Sequence, residues 1–153
     1  LDDPASPAWL GRRQCHFTVQ AATQLHFAPT TEAEEAGLTV RMNERHHYDL
    51  FVTRRGGAAS VVLRRRIGTL QAEVACQPLL SSDGGWVLTV QADRDQYRFG
   101  YGSSESELKP LGAGETRYLS TEVAGGFTGV YFALYATGNG APCAQPADFD
   151  WFD

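Results

Sequence analysis

Apolar and polar positions alternate with a period of two along most of this chain. In "CHFTVQ", Cys15, Phe17 and Val19 oppose His16, Thr18 and Gln20. In "GLTVRM", Leu38, Val40 and Met42 oppose Thr39 and Arg41. "YDLFV" aligns Tyr48, Leu50 and Val52, and "LQAEVAC" aligns Leu70, Ala72, Val74 and Cys76. "WVLTVQA" aligns Trp86, Leu88, Val90 and Ala92, and "YRFGY" aligns Tyr97, Phe99 and Tyr101. Each pattern predicts a strand with one buried face.

"RRGGAA", "SSDGG", "GSSES" and "GAGE" separate the runs and read as turns. Strands this closely spaced predict antiparallel hairpins and an all-β sandwich rather than crossover helices. "VYFALYA" (130–136) is apolar on both faces, as a strand covered on both sides would be. "ADFDWFD" (147–153) sets Phe149 and Trp151 against Asp148, Asp150 and Phe152 and predicts a closing strand of the core. "TTEAEEAG" is read as a short helix or an acidic loop.

Composition narrows the class. At 153 residues, 42% hydrophobic and 20% charged, the chain suits one globular domain. "LDDPASPA" (1–8) reads as a linker from an upstream domain, with a single β-sandwich over 9–153. The chain opens at Leu1 rather than methionine, as a piece of a longer protein would. A net charge of −5 argues against nucleic acid, whose affinity comes from neutralising phosphates. Arg64-Arg65-Arg66 runs against that charge and reads as a solvated sheet face or a partner contact. No run of apolar residues is long enough to span a membrane.

Cys15, Cys76 and Cys143 match no zinc spacing. Buried free thiols in a reducing compartment are expected, which favours a bacterial cytoplasm; a Cys15–Cys143 bridge and a secreted setting stay open. His46 and His47, as strand neighbours, point to opposite faces and cannot readily chelate one ion, and His16 and His26 fall on outward faces. No metal site or other cofactor is assigned, although a calcium ion in the sandwich or the parent enzyme stays open.

Asp148 and Asp150 raise the question of catalysis. At i and i+2 on a strand they are about 6.6 Å apart at the backbone, within the range of glycosidase carboxyl pairs. Almost any acidic strand meets that condition, so structural aspartates are the expectation. "GAGETR" could hold an oxyanion on backbone amides, but a lone glycine loop is a weak signal. Aromatics at loop tips say more. A sugar offers apolar C–H faces, which a ring covers, and hydroxyl rims, which polar side chains meet. Phe127, between Gly126 and Thr128 in "GGFTG", fits that demand, although the ring could also tuck into the sandwich edge.

"GRRQ" (11–14), "EEAGLTVRMNERHHYDL" (34–50), "TRYLSTEVAGGFTGVYFALYATGNG" (116–140) and "ADFDWF" (147–152) resemble the C-terminal domain of β-xylosidases of glycoside hydrolase family 43. Such domains are also classed as carbohydrate-binding module family 91, with xylan as ligand. The resemblance runs from Trp9 to Asp153. It implies a concanavalin-like antiparallel β-sandwich, or jelly roll, packed on an N-terminal five-bladed propeller that carries the three catalytic carboxylates. It further implies that a loop of the sandwich brings an aromatic residue to the mouth of the active site. By motif that residue is Phe127, with Arg12, Arg13 and Gln14 near the domain interface. The chain is then a non-catalytic accessory domain of an enzyme acting on xylo-oligosaccharides. The alternatives are an autonomous xylan-binding module using Phe127, Tyr118 or Trp9, and an independent glycosidase using Asp148 and Asp150.

Overall fold

The structure, a computed structural model, describes residues 1, 8–80, 85–126 and 128–153. Among these, eleven strands form two antiparallel sheets. In chain order they are β1 (Ala8–Arg13), β2 (Val19–His26), β3 (Glu35–Asn43), β4 (His46–Arg55), β5 (Ala58–Ile67) and β6 (Leu70–Pro78), followed by β7 (Trp86–Ala92), β8 (Gln96–Gly102), β9 (Lys109–Glu115), β10 (Tyr131–Thr137) and β11 (Asp148–Phe152). One sheet has the order β1-β10-β3-β4-β5-β6 and the other β11-β2-β7-β8-β9. The chain is a concanavalin-like β-sandwich. A single turn of helix, α1 (Thr121–Ala124), follows a 3-10 turn at Thr116–Leu119. No described helix is long and apolar enough to cross a membrane.

The core is the layer between the sheets. Leu38, Val40, Tyr48, Leu50, Val52, Val61 and Leu63 of one sheet meet Leu25, Leu88, Val90, Tyr97 and Phe99 of the other. Truncating a leucine here costs about 2–5 kcal/mol, the lost transfer energy plus the cavity left behind. The "RRGG" turn joins β4 to β5 with φ of +57° at Gly56 and +87° at Gly57, a left-handed pair that matches the twist of a two-residue hairpin. The double-sided run occupies β10, where Phe132 and Leu134 face the core and Tyr135 joins Phe51 and Val62 on the other side. Leu1 packs against that second cluster, and β1 takes in Ala8.

Several expectations are corrected. Residues 15–18 form no strand; Phe17 is 69% exposed and lies against Arg94, its ring centroid 5.1 Å from the guanidinium carbon. β6 is a strand, but its apolar face is not buried, because it is an edge strand: Leu70 is 74% exposed. A register shift opposite Leu63 and Arg64 turns Ala75 toward the core instead of Val74. In β11 a bulge between Phe149 and Trp151 reverses the later alternation, so that Phe149 and Phe152 pack on the core. Trp151 instead donates its indole N–H to Gln24 Oε1 at 3.2 Å. "TTEAEEAG" is a loop and turn running into β3.

All three cysteines are free and exposed, against the expectation of buried thiols and without a Cys15–Cys143 bridge. Cys15 and Cys143 fall in connections and Cys76 on the uncovered edge strand. "GAGE" belongs to β9, and its glycines serve packing: a Cβ on Gly114 would lie 2.4 Å from the Tyr48 ring. No oxyanion cradle is built there.

Arg64 is not solvated. It sits on the outer side of the six-stranded sheet, in register with Asp49 and, through β4, with Thr39. Its guanidinium meets Glu35 and Asp49, while His47 Nδ1 donates to both Asp49 carboxylate oxygens at 2.9 and 3.0 Å. Burial alone would raise the Asp49 carboxyl, but His47, Arg64 and the Thr39 hydroxyl outweigh it and hold the carboxyl at about 2.

Candidate functional site

One end of the sandwich gathers the connections after β1, between β7 and β8, and between β9 and β10. Arg13, the last residue of β1, turns its guanidinium onto the carbonyl oxygen of Thr128. Gln14 follows, its backbone N–H bonded to Val130 O at 2.9 Å. Its side-chain amide donates to His16 O at 2.8 Å and accepts from the Tyr97 hydroxyl at 3.0 Å. The two segments are thus fastened to each other and to the core.

The loop from Gly125 to Gly129 stands between two anchors. On one side Asn43 Nδ2 donates to Ala124 O at 3.0 Å, at the end of α1. On the other, Arg13 holds Thr128, whose hydroxyl reaches Met42 O at 3.5 Å. Three glycines beside these anchors are left-handed, with φ of +71° at Gly125, +77° at Gly126 and +77° at Gly129. Side chains other than glycine rarely adopt such angles. A Cβ at Gly125 or Gly126 would meet only open space, so conformation rather than crowding accounts for these two glycines. At Gly129 a Cβ would also lie 2.9 Å from the Arg13 guanidinium. Phe127 itself lies outside the described residues.

A cavity of about 480 Å³ opens at the same end, with Gln14, Phe17, Asp93, Arg94, Thr116 and Arg117 on its walls. Arg98 and the backbone N–H groups of Asp95 and Gln96 hold the Asp93 carboxylate at about 2, so it stays an anion. Tyr118 is half-buried, its ring centroid 5.1 Å from the guanidinium carbon of Arg117. The structure therefore brings together Arg13, Gln14, Gly126, Thr128 and the turn bearing Tyr118. Arg12 is exposed beside them. Trp9 does not join: it lies four residues back along β1, about 13 Å, where its ring covers Gly11 and meets Tyr131 at 5.8 Å.

Arg94, Thr116 and Asn43 are participants that the sequence did not single out, and Phe17 and Tyr97 were read only as buried faces of strands. Only the exposed Phe17 carries a local signal, an apolar residue between two polar ones in a segment lacking turn residues.

The other candidates separate. His46 bonds Asn43 through Nδ1 at 3.1 Å, whereas His47 is buried against Asp49 on the outer side. Asp150 pairs with His26 at 3.0 Å next to the β11 bulge. No group of three or more His, Cys, Asp or Glu side chains that could hold a metal is found among the described residues.

Residues 1–153 match the family described as Beta xylosidase C-terminal Concanavalin A-like domain. The chain belongs to that family. The domain is a C-terminal domain of glycoside hydrolase family 43 enzymes. It is 40% identical over 148 residues to a non-reducing end α-L-arabinofuranosidase of Bacteroides ovatus, covering 97% of this chain and 28% of the relative. The solved structure of a Bacteroides ovatus xyloglucan-locus family 43 protein superposes with a TM-score of 0.89 at 39% identity, over 95% of this chain and 28% of that one. A family 43 protein of Bacillus licheniformis shares the fold at a TM-score of 0.91 and 21% identity, over 99% of this chain and 30% of that one. This C-terminal domain thus spans less than a third of the length of each of these proteins.

Proposed function

We propose that the domain is the non-catalytic accessory sandwich of a family 43 glycosidase, and that its glycine loop completes the substrate pocket of an N-terminal catalytic propeller. The observation that carries this reading is the glycine-rich segment on either side of residue 127: left-handed at Gly125, Gly126 and Gly129, anchored through Ala124 and Thr128, with open space at Gly125 and Gly126. Anchoring the segments that flank an aromatic residue lowers the ordering cost of binding through it.

In this reading Phe127 covers the apolar face of a terminal xylosyl unit, and Gly126, Thr128 and Tyr118 form the rim. Arg13 has a supporting part, because its guanidinium is engaged by Thr128 O; Arg12, exposed, meets the propeller directly. The ring excludes water and confines the pocket to a chain end. The carboxylates that cleave the glycosidic bond belong to the propeller. The substrate is a xylo-oligosaccharide, as the family description favours; the arabinofuranosidase among the relatives makes an arabinofuranosyl end the competing specificity.

The test is Phe127→Ala in the full-length enzyme, assayed on aryl β-xyloside and aryl α-L-arabinofuranoside with melting temperature as control. Loss of one aromatic face should lower kcat/KM about tenfold or more with little change in melting. Unchanged kinetics on both substrates would overturn the reading, and the size of the two losses reports which pentose the ring covers.

A further inference from the structure

The opposite end of the sandwich carries a cleft that the glycine loop does not reach. β7 runs from this cleft, at Trp86, to Ala92, beyond which Asp93 and Arg94 line the cavity described above. Six residue steps of extended chain put the two ends about 20 Å apart. The cleft has a volume of about 620 Å³, within the range of small-molecule sites.

Register explains its walls. Tyr101 pairs with Leu88 on one side and with Lys109 on the other. Trp86 lies two residues before Leu88 and shares its face, as does its own partner Leu25. Trp86, Tyr101 and Lys109 therefore project from three adjacent strands on the side that forms the core further along. At this end the other sheet contributes Pro78, the last residue of β6, to the walls, and both rings are left part-exposed. Leu79 closes the base. The connection after β8 folds back tightly, so that a Cβ on Gly102 would lie 2.6 Å from Glu107 O. That fold brings Glu107 to the rim, where Ser103 donates to its carboxylate.

Two features specify a ligand. First, neither the Trp86 indole N–H nor the Tyr101 hydroxyl makes a hydrogen bond among the described residues, although partly buried rings of these types usually find a partner. Second, the rim holds one acid and one base, Glu107 and Lys109, which favours neither anionic nor cationic ligands. Flat rings with spare donors, bordered by a carboxylate and an ammonium, match the C–H faces and hydroxyls of a neutral sugar chain.

We propose that this cleft is a second carbohydrate-binding subsite, which holds a neutral oligosaccharide away from the glycine loop. It does not depend on the role given to Phe127.

Xylohexaose and cellohexaose titrated into the 153-residue chain, followed by calorimetry and amide chemical shifts, test the proposal. One of them should bind saturably, with shifts centred on Trp86, Tyr101 and Lys109. Trp86→Ala should weaken binding about tenfold or more, and Tyr101→Phe, which removes only a hydroxyl, roughly threefold to tenfold. Lys109→Ala, at an exposed position, keeps the test sound if Trp86→Ala fails to fold; it should also weaken binding. Leu70→Ala, on the exposed edge strand and outside the cleft, should leave the affinity unchanged. No saturable binding of either sugar at millimolar concentration would overturn the proposal. Binding indifferent to all three cleft substitutions, or abolished by Phe127→Ala alone, would do the same.

Discussion

Arg64 grips both carboxylate oxygens of Glu35, at 2.9 Å each, on the side of the six-stranded sheet that faces away from the core. The same guanidinium reaches Asp49 Oδ2 at 3.0 Å and lies 4.6 Å from the centre of the Phe51 ring. Glu35 and Asp49 are both buried, so removing the cation takes the ion pair from Glu35 and leaves Asp49 only His47 and Thr39. Arg64→Leu should therefore cost about 3–5 kcal/mol in urea unfolding. Adding Glu35→Gln and Asp49→Asn should recover part of that loss. A loss below about 1 kcal/mol would mean that the network is solvated after all.

Acid should destabilise the fold in a defined window. Backbone N–H groups of Ala144 and Thr30 hold the Glu34 carboxyl at about 2, below its ordinary 4.5, and Asp49 is held at about 2, below 3.8. Carboxyls lowered in the folded state contribute stability that is complete above the unfolded values and is lost as pH falls through the folded ones. Urea midpoints should fall between pH 4.5 and about 2. Glu34→Gln, measured in the same series, should flatten that decline; an unchanged slope would remove Glu34 from the account.

Gly114→Ala should unsettle the core. The new methyl meets Tyr48, which cannot easily withdraw because its hydroxyl donates to Glu115 O at 2.9 Å. Overpacking of this kind costs about 1–3 kcal/mol. Gly56→Asn, in the β4–β5 turn, should be nearly neutral, since asparagine accepts the left-handed angle and nothing lies near the added atoms. Thermal melts of the two variants should separate accordingly.

Tyr135→Phe should be neutral or stabilising. The Tyr135 hydroxyl is buried and finds no hydrogen-bond partner among the described residues. Leaving such a group unmade costs about 1–3 kcal/mol, and phenylalanine removes it without emptying the site. A fall in the urea midpoint would show that the hydroxyl is bonded after all.

Alternation alone located the central strands, because Leu38 and Val40, like Leu88 and Val90, lie in unbroken ladders where parity and burial coincide. It misled where a ladder slips: the bulge in β11 exchanges Trp151 for Phe152, and the shift opposite Arg64 exchanges Val74 for Ala75. It was silent on β1, where Gly11 makes room for the ring of Trp9, and it read "GAGE" of β9 as a turn although Gly114 makes room for the ring of Tyr48. At the loop end, "GRRQ" and "GGFTG" were visible as motifs. The approach of Tyr97, Thr116 and Arg94 to Gln14 was not, because it depends on which connections the two sheets bring to one end.

The order of the strands bears on how this protein is made. β10 sits between β1 and β3, and β11 edges β2, so residues 131–152 complete both sheets. During synthesis each layer waits, with apolar flanks unprotected, for segments translated roughly a hundred positions later. Closure at such sequence separation is entropically slow. A nascent form of this sandwich therefore exposes apolar surface and unpaired strand edges until its last strands emerge.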